Sequence, residues 1–245
     1  MDILSKEIAG NPDDQGLYLR RALAWADSGE PAKAVEDVEY AAKLGDPLQA
    51  TLVRGILLFR QQALSAAKAC FDDYLQRYPE HTGALSYRAR LLNDTGDKGA
   101  ALADYQHLIQ LQPEQDPGIY VATAQLLAST RPDEGTQAAL ALLDQRIDAV
   151  GAIPQLQRQA ISLEKQRGDY AAALQRLSTL DGRIRATPEW HVEAAELLLA
   201  SNDSGQARAH LLVAQEQLQQ LRATPARAKT GARTQQLLEQ IDGGT

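Results

Sequence analysis

The stretch Gly96–Pro113, GDKGAALADYQHLIQLQP, decides the fold. Gly96-Asp97 reads as a turn, and Ala101, Tyr105, Leu108 and Ile109 then fall on one face at spacings of three and four. That spacing marks an amphipathic helix, and Gly and Pro at its two ends are where a helix stops. The same pattern returns along the chain. Ala34, Ala67, Ala101, Ala139, Ala173 and Ala207 hold equivalent places, at successive spacings of 33, 34, 38, 34 and 34 residues.

Working outward, each alanine-bearing segment pairs with an apolar-periodic segment just before it. The sequence predicts helix pairs at 16–27 with 31–44, 48–61 with 64–78, 82–95 with 98–111, 119–129 with 136–149, 154–167 with 170–180, and 189–200 with 205–221. A short helix at 3–10 opens the chain and another at 226–241 closes it, while Asp13 or Asp14 suits the cap of the first pair. The fourth pair carries the odd spacing of 38, and Thr130–Gly135 reads as a lengthened turn that absorbs it.

These residues resemble the tetratricopeptide repeat family, whose helix-turn-helix unit has a period of about 34 residues and the pattern Trp-x2-Leu-Gly-x2-Tyr, Ala-x3-Phe, Pro. Gly55, Leu58, Ala67, Phe71 and Pro79 follow it closely, as do Leu85, Ala89, Leu92, Ala101, Tyr105 and Pro113. Tyr18, Ala22, Trp25, Ala34, Val38 and Pro47 match in kind, as do Tyr120, Ala124, Leu127, Ala139 and Leu143, then Ala195, Leu198, Ala207 and Leu211. The fifth unit departs at Ile161, a large residue where a small one is usual.

The resemblance implies an all-α, right-handed α–α superhelix, a single solenoid over residues 1–245. It would comprise a half-repeat at 1–12, six repeats at 15–47, 48–81, 82–115, 117–152, 154–187 and 188–221, and a capping helix at 225–242. One such unit cannot bury its apolar face alone, so stacking is compulsory and the ends need polar caps. The chain is also similar in tone to bacterial exported tetratricopeptide proteins whose mature chains begin with a half-repeat.

Composition agrees with a helical array. Aromatic residues are only 5% of the 245, a poor fit to a β-sandwich. A net charge of −7 argues against nucleic acid or an anionic membrane surface as partner. No apolar run approaches the roughly 20 residues that span a bilayer. Cys70 is the only cysteine, which excludes an internal disulfide and a multi-cysteine metal site. No export signal follows Met1, so the location is cytoplasmic, or periplasmic if Met1 replaces a removed signal.

By the family's pattern, the concave face is lined by the first helix of each unit. That projection places Leu19, Leu23, Leu52, Ile56 and Phe59 there, followed by Arg90, Asn93, Asp94, Gln125, Arg158 and Lys165. An apolar trough beside polar and basic residues could hold a peptide or an amphipathic helix. The competing reading is that several of these side chains pack against neighbouring helices. Some relatives grip acidic chaperone tails with Lys and Asn in the first repeats. Here Leu19 and Leu23 hold the corresponding first-repeat places, and Gly83 and Tyr87 stand where the third repeat would supply basic residues, so that clamp is absent.

Arg21, Arg54 and Arg88 recur at the repeat spacing. They form either an anion-binding ladder or a set of stems paired to acids such as Asp37 and Asp104. His81, His107, His191 and His210 stand alone in sequence, with no helical ligand spacing among them. Ser86 and Ser162 lack an evident activating base, Glu36-Asp37 and Asp72-Asp73 read as solvated helix surface, and no phosphate-cradling loop appears. The expected function is non-catalytic binding of a partner's peptide or helix, without cofactor or metal. The alternative is a scaffold or self-associating spacer in a larger, cell-envelope assembly. Oligomeric state is left open.

Overall fold

The computed structural model describes residues 2–130 and 132–243, and among them it holds fifteen helices and no strand. In order these are α1 (Asp2–Gly10), α2 (Gln15–Asp27), α3 (Pro31–Leu44), α4 (Pro47–Arg60), α5 (Leu64–Arg77), α6 (Thr82–Asp94) and α7 (Lys98–Leu111). There follow α8 (Pro117–Thr130), α9 (Pro132–Val150), α10 (Pro154–Gln166), α11 (Tyr170–Ser178), α12 (Gly182–Arg185), α13 (Pro188–Ala200), α14 (Ser204–Gln220) and α15 (Pro225–Gly243). The chain divides into two compact units, Met1–Gln115 and Asp116–Thr245.

Local chemistry sets the helix starts. Asp14, Asp46, Asp97, Asp169 and Asp203 each accept a backbone N–H in the first turn of the helix that follows, satisfying a donor that the helix itself cannot. His81 does the same for α6 through its ring Nδ1, 3.1 Å from the Ala84 N–H. Proline opens α3, α4, α10 and α13, where its missing N–H costs nothing.

Between the helices of a pair, one residue adopts the left-handed conformation. Gly29, Gln62, Gly96, Gly168 and Asn202 have φ of 77°, 62°, 88°, 79° and 63°, and each lies five residues before its repeat's packed alanine. The turn therefore recurs in geometry even where glycine does not.

Close packing follows from size. Ala22, Ala34, Ala67, Ala89, Ala101, Ala124, Ala139, Ala173, Ala195 and Ala207 are fully buried. Four residues after the second-helix alanine, Val38, Phe71, Tyr105, Leu143, Leu177 and Leu211 fill the gap from the partner helix. Each such side chain contributes about 1.5–3 kcal/mol by leaving water. At Gly55 even a methyl is too much, since a Cβ there would lie 2.9 Å from Phe71 Cε1 and 3.0 Å from Cys70 Cβ. Ile161 is accommodated in a cluster with Ala173, Leu177, Leu180, Ala194 and Leu197.

Two features differ from the sequence reading. Arg131, within the expected long turn, lies outside the described residues, but Pro132–Gly135 are helical. α9 is 19 residues long, against 14 for α3, α5 and α7. It begins seven residues before Ala139, whereas α7 begins three before Ala101. The four extra residues make about one turn of 3.6, so Ala139 still faces inward. The short α12 was also not expected; Asp181 caps it by accepting the Arg183 N–H.

Within the first unit α2 packs on α3, α4 on α5 and α6 on α7, and first helices also touch one another, α2 on α4 and α4 on α6. Ile8 of α1 joins the cluster of Leu17, Tyr18, Ala22, Ala34 and Val38. Within the second unit α8 pairs with α9, α10 with α11 and α13 with α14, while α8 touches α10. α15 rests on α13 and α14 through Leu237 and Leu238, which are buried with Val192, Leu198 and Leu211.

Candidate functional site

The arginine series is mostly paired. Arg21 donates from both Nε and Nη2 to Asp37, each at 2.7 Å. Arg88 grips Asp104 in the same way at 2.7 and 2.8 Å, and adds Asp72 at 2.9 Å. Hydrogen bonding to Asp37 and Asp104 holds these two guanidinium groups above the usual arginine range. Asp72 is pushed up by burial, but Lys68 and Arg88 overcome this and set it below the usual carboxylate range. Asp37 and Asp104 are buried, so Asp37 is not the solvated helix surface that the Glu36-Asp37 pair suggested. Arg54 is exposed and has no ion-pair partner among the described residues. At the position equivalent to Asp37 and Asp104 stands Cys70, whose thiol burial pushes up despite the nearby Arg54. The ladder is therefore not a row of free cations.

In the second unit the roles reverse. Arg176, at the register position of Asp37, binds Asp144 through two nitrogens and the buried Glu164 at 3.2 Å. Glu164 also takes Arg167 Nε at 2.5 Å. Hydrogen bonding to Asp144 foremost, and to Glu164, raises the Arg176 guanidinium.

The expected apolar trough is closed by the protein itself. Leu19, Leu52, Ile56 and Phe59 are buried and Leu23 is half-buried. Successive first helices lie against one another, so these positions fall between helices and do not line an open floor. Phe59 meets the Tyr87 ring edge-on at 6.1 Å and carries the Arg90 guanidinium 5.6 Å above it. Arg90, Asn93 and Asp94 are exposed, and so is Gln125, which bonds to Gln159 at 3.0 Å.

The remaining two expected residues, Arg158 and Lys165, do sit on an open cleft. It has a volume of about 340 Å³ and is lined by Arg158, Ile161, Ser162, Lys165 and Gln166 of α10 and Glu193 of α13. It adjoins a second cleft of about 350 Å³ that shares Lys165 and Glu193 and adds Glu189, Val192, Glu196, Lys229, Thr230 and Arg233. Together they form a groove walled by α10, α13 and α15. Its acids are engaged: Glu193 by Arg158 at 3.2 Å, Glu196 by Arg233 at 2.7 Å, and Glu189 by the Thr230 hydroxyl at 3.2 Å. Lys165 and Lys229 are exposed, and neither has an ion-pair partner among the described residues. Such a lining can form hydrogen bonds and ion pairs, and no three His, Cys, Asp or Glu converge as metal ligands among the described residues.

Sequence spacing missed the contact between His191 and His210, whose Nδ1 atoms are 3.0 Å apart, with Trp190 edge-on to both rings. Both imidazoles are set below their ordinary range, His191 by burial and then by His210, His210 by burial. Nineteen residues separate them, but the repeat register puts His210 at the place of Asp37 and His191 at that of Tyr18, one turn before Arg21, so the two meet across the last pair.

No protein-family model matches this sequence, and no curated protein sequence does either. Solved structures do. A tetratricopeptide repeat protein from Parabacteroides merdae superposes with a TM-score of 0.62 at 17% identity, over 94% of this chain and 92% of that one. Yeast Tom70 gives 0.58 at 20% identity, over 93% of this chain and 45% of its own. YrrB, a tetratricopeptide repeat protein with an unusual peptide-binding site, gives 0.53 at 13% identity, over 87% and 91%. The chain has the tetratricopeptide repeat fold. No described helix is long and apolar enough to cross a membrane.

Proposed function

We propose that this chain is a non-catalytic binding module that takes a segment of a partner protein into the groove between α10, α13 and α15. The observation that carries this reading is the open, three-walled cleft beside Arg158 and Lys165, the two expected contact residues that are exposed on it. The surrounding alanine-packed helices give a largely preformed surface, which lowers the ordering cost of binding. YrrB, with the same fold, has a peptide-binding site, which supports the class of ligand.

Panning a random peptide library against the full chain, followed by hydrogen exchange on the selected complex, tests the reading. Protection of α10 and α13 amides is the expected result. Protection confined to α11 and α14, or failure to select any peptide, would overturn it. Sedimentation of the same sample separates segment binding from self-association, since a monomer that holds the peptide excludes the scaffold role as the main one.

A further inference from the structure

Resting on that reading, we infer that the segment held in the groove is acidic, with carboxylates that reach Lys165 on one wall and Lys229 on the opposite wall. The argument is one of charge accounting within the groove. Its four cations are Arg158, Lys165, Lys229 and Arg233, against three glutamates. The two arginines are committed to Glu193 and Glu196 at 3.2 and 2.7 Å. The lysines are left over, one on α10 and one on α15, so the cleft is locally positive in a chain whose net charge is −7.

An uncommitted ammonium on a rigid helix at the mouth of a cleft is a point charge with three donors and no acceptor. Carboxylate is the side-chain group it matches, and among the described residues neither lysine is paired with one. A basic segment would meet the two lysines directly and find Glu193 and Glu196 already paired, with only Glu189, bonded to the Thr230 hydroxyl, lacking a cation. The arginine–glutamate bridges span α10 to α13 and α13 to α15 and leave the two lysines unpaired.

The test uses three fluorescein-labelled, C-terminally amidated ten-residue peptides, alternating Ala with Glu, Gln or Lys, and fluorescence anisotropy with the full chain at low salt. The Glu peptide should bind about two- to thirtyfold more tightly than the Gln peptide, the combined effect of two exposed ion pairs, and should weaken as salt rises. The double variant Lys165→Gln/Lys229→Gln should erase that difference; both side chains are exposed, and circular dichroism checks that helix content is retained. Equal binding of the three peptides, or a preference for Glu that survives the double variant, overturns the inference. If the Gln peptide binds as well as the Glu peptide and protects α10 and α13, the groove stands and only the charge preference falls. If no peptide protects those helices, both fall together.

Discussion

Arg54 and Cys70 stand in the helix-to-helix register that elsewhere joins Arg21 to Asp37 and Arg88 to Asp104, sixteen residues apart in each case. The middle repeat thus keeps the cation and has lost the acid. Cys70→Asp should restore the bond and stabilise the first unit by about 0.5–1 kcal/mol at low salt, the range for a pair with an exposed partner. Urea unfolding of Cys70→Asp, Arg54→Gln and the double variant checks this. The gain should vanish when Arg54 is removed; a gain that persists would trace to something other than the pair.

Gln62 holds a left-handed backbone where three equivalent turns use glycine. A side chain in that region costs roughly 1–2 kcal/mol relative to glycine. Gln62→Gly should therefore raise stability by up to about 1 kcal/mol, offset in part by the added freedom of the unfolded chain. A thermal melt that falls instead would show the Gln62 side chain to be a net contributor.

Gly55→Ala should destabilise despite the better helix propensity of alanine. The propensity gain is about 1 kcal/mol. Against it, the new methyl would lie 2.9 Å from Phe71 Cε1, on a ring stacked 5.8 Å from Tyr87 and unable to swing away cheaply. Overpacking of this kind costs about 1–3 kcal/mol, so the midpoint of chemical unfolding should drop. An unchanged or higher midpoint would mean that α4 and α5 part more easily than their contacts suggest.

The His191–His210 pair makes the last repeat sensitive to acid. Both imidazoles take up a proton less readily in the folded chain than at the ordinary value of 6.5, because of burial and, for His191, its neighbour. Below that value the unfolded chain binds more protons, so stability is fully present above pH 6.5 and is lost as the pH falls through the folded values. One proton can lie between the two Nδ1 atoms; two cannot at 3.0 Å. Unfolding midpoints measured between pH 7.5 and 5 should slope downward, and His210→Asn should flatten that slope. Trp190 fluorescence reports the same event locally, since its ring touches both imidazoles.

Most of the fold was legible because each repeat reuses one local solution. The packed alanine and the left-handed turn recur together, the turn five residues before the alanine, so either one locates the other. The start of α9 was not legible for a specific reason. Pro132-Asp133-Glu134-Gly135 is turn-like in composition, but Pro and acidic residues are equally suited to the first turn of a helix.

The site was read less well. The repeat pattern gives the direction in which Leu52, Ile56 and Phe59 point, but not whether the next helix covers them, which depends on how closely α4 and α6 approach. Arg158 and Lys165 line an open cleft because long charged side chains reach past that layer. Lys229 and Arg233 were missed because α15 looked like a stopper over the last repeat, whereas it also supplies a wall. His191 and His210 escaped because ligand spacing was sought along one helix, and theirs runs across two.

The extra turn of α9 behaves like a screw driven one full revolution deeper: the slot ends where it began. Four added residues lengthen the shaft and leave Ala139 and Leu143 buried. An insertion of two residues at that point would instead turn the seam by about 200°, toward solvent. The only length changes this architecture absorbs inside a helix are those near a multiple of its pitch, which makes the thread of α9 a natural place to splice in additional sequence.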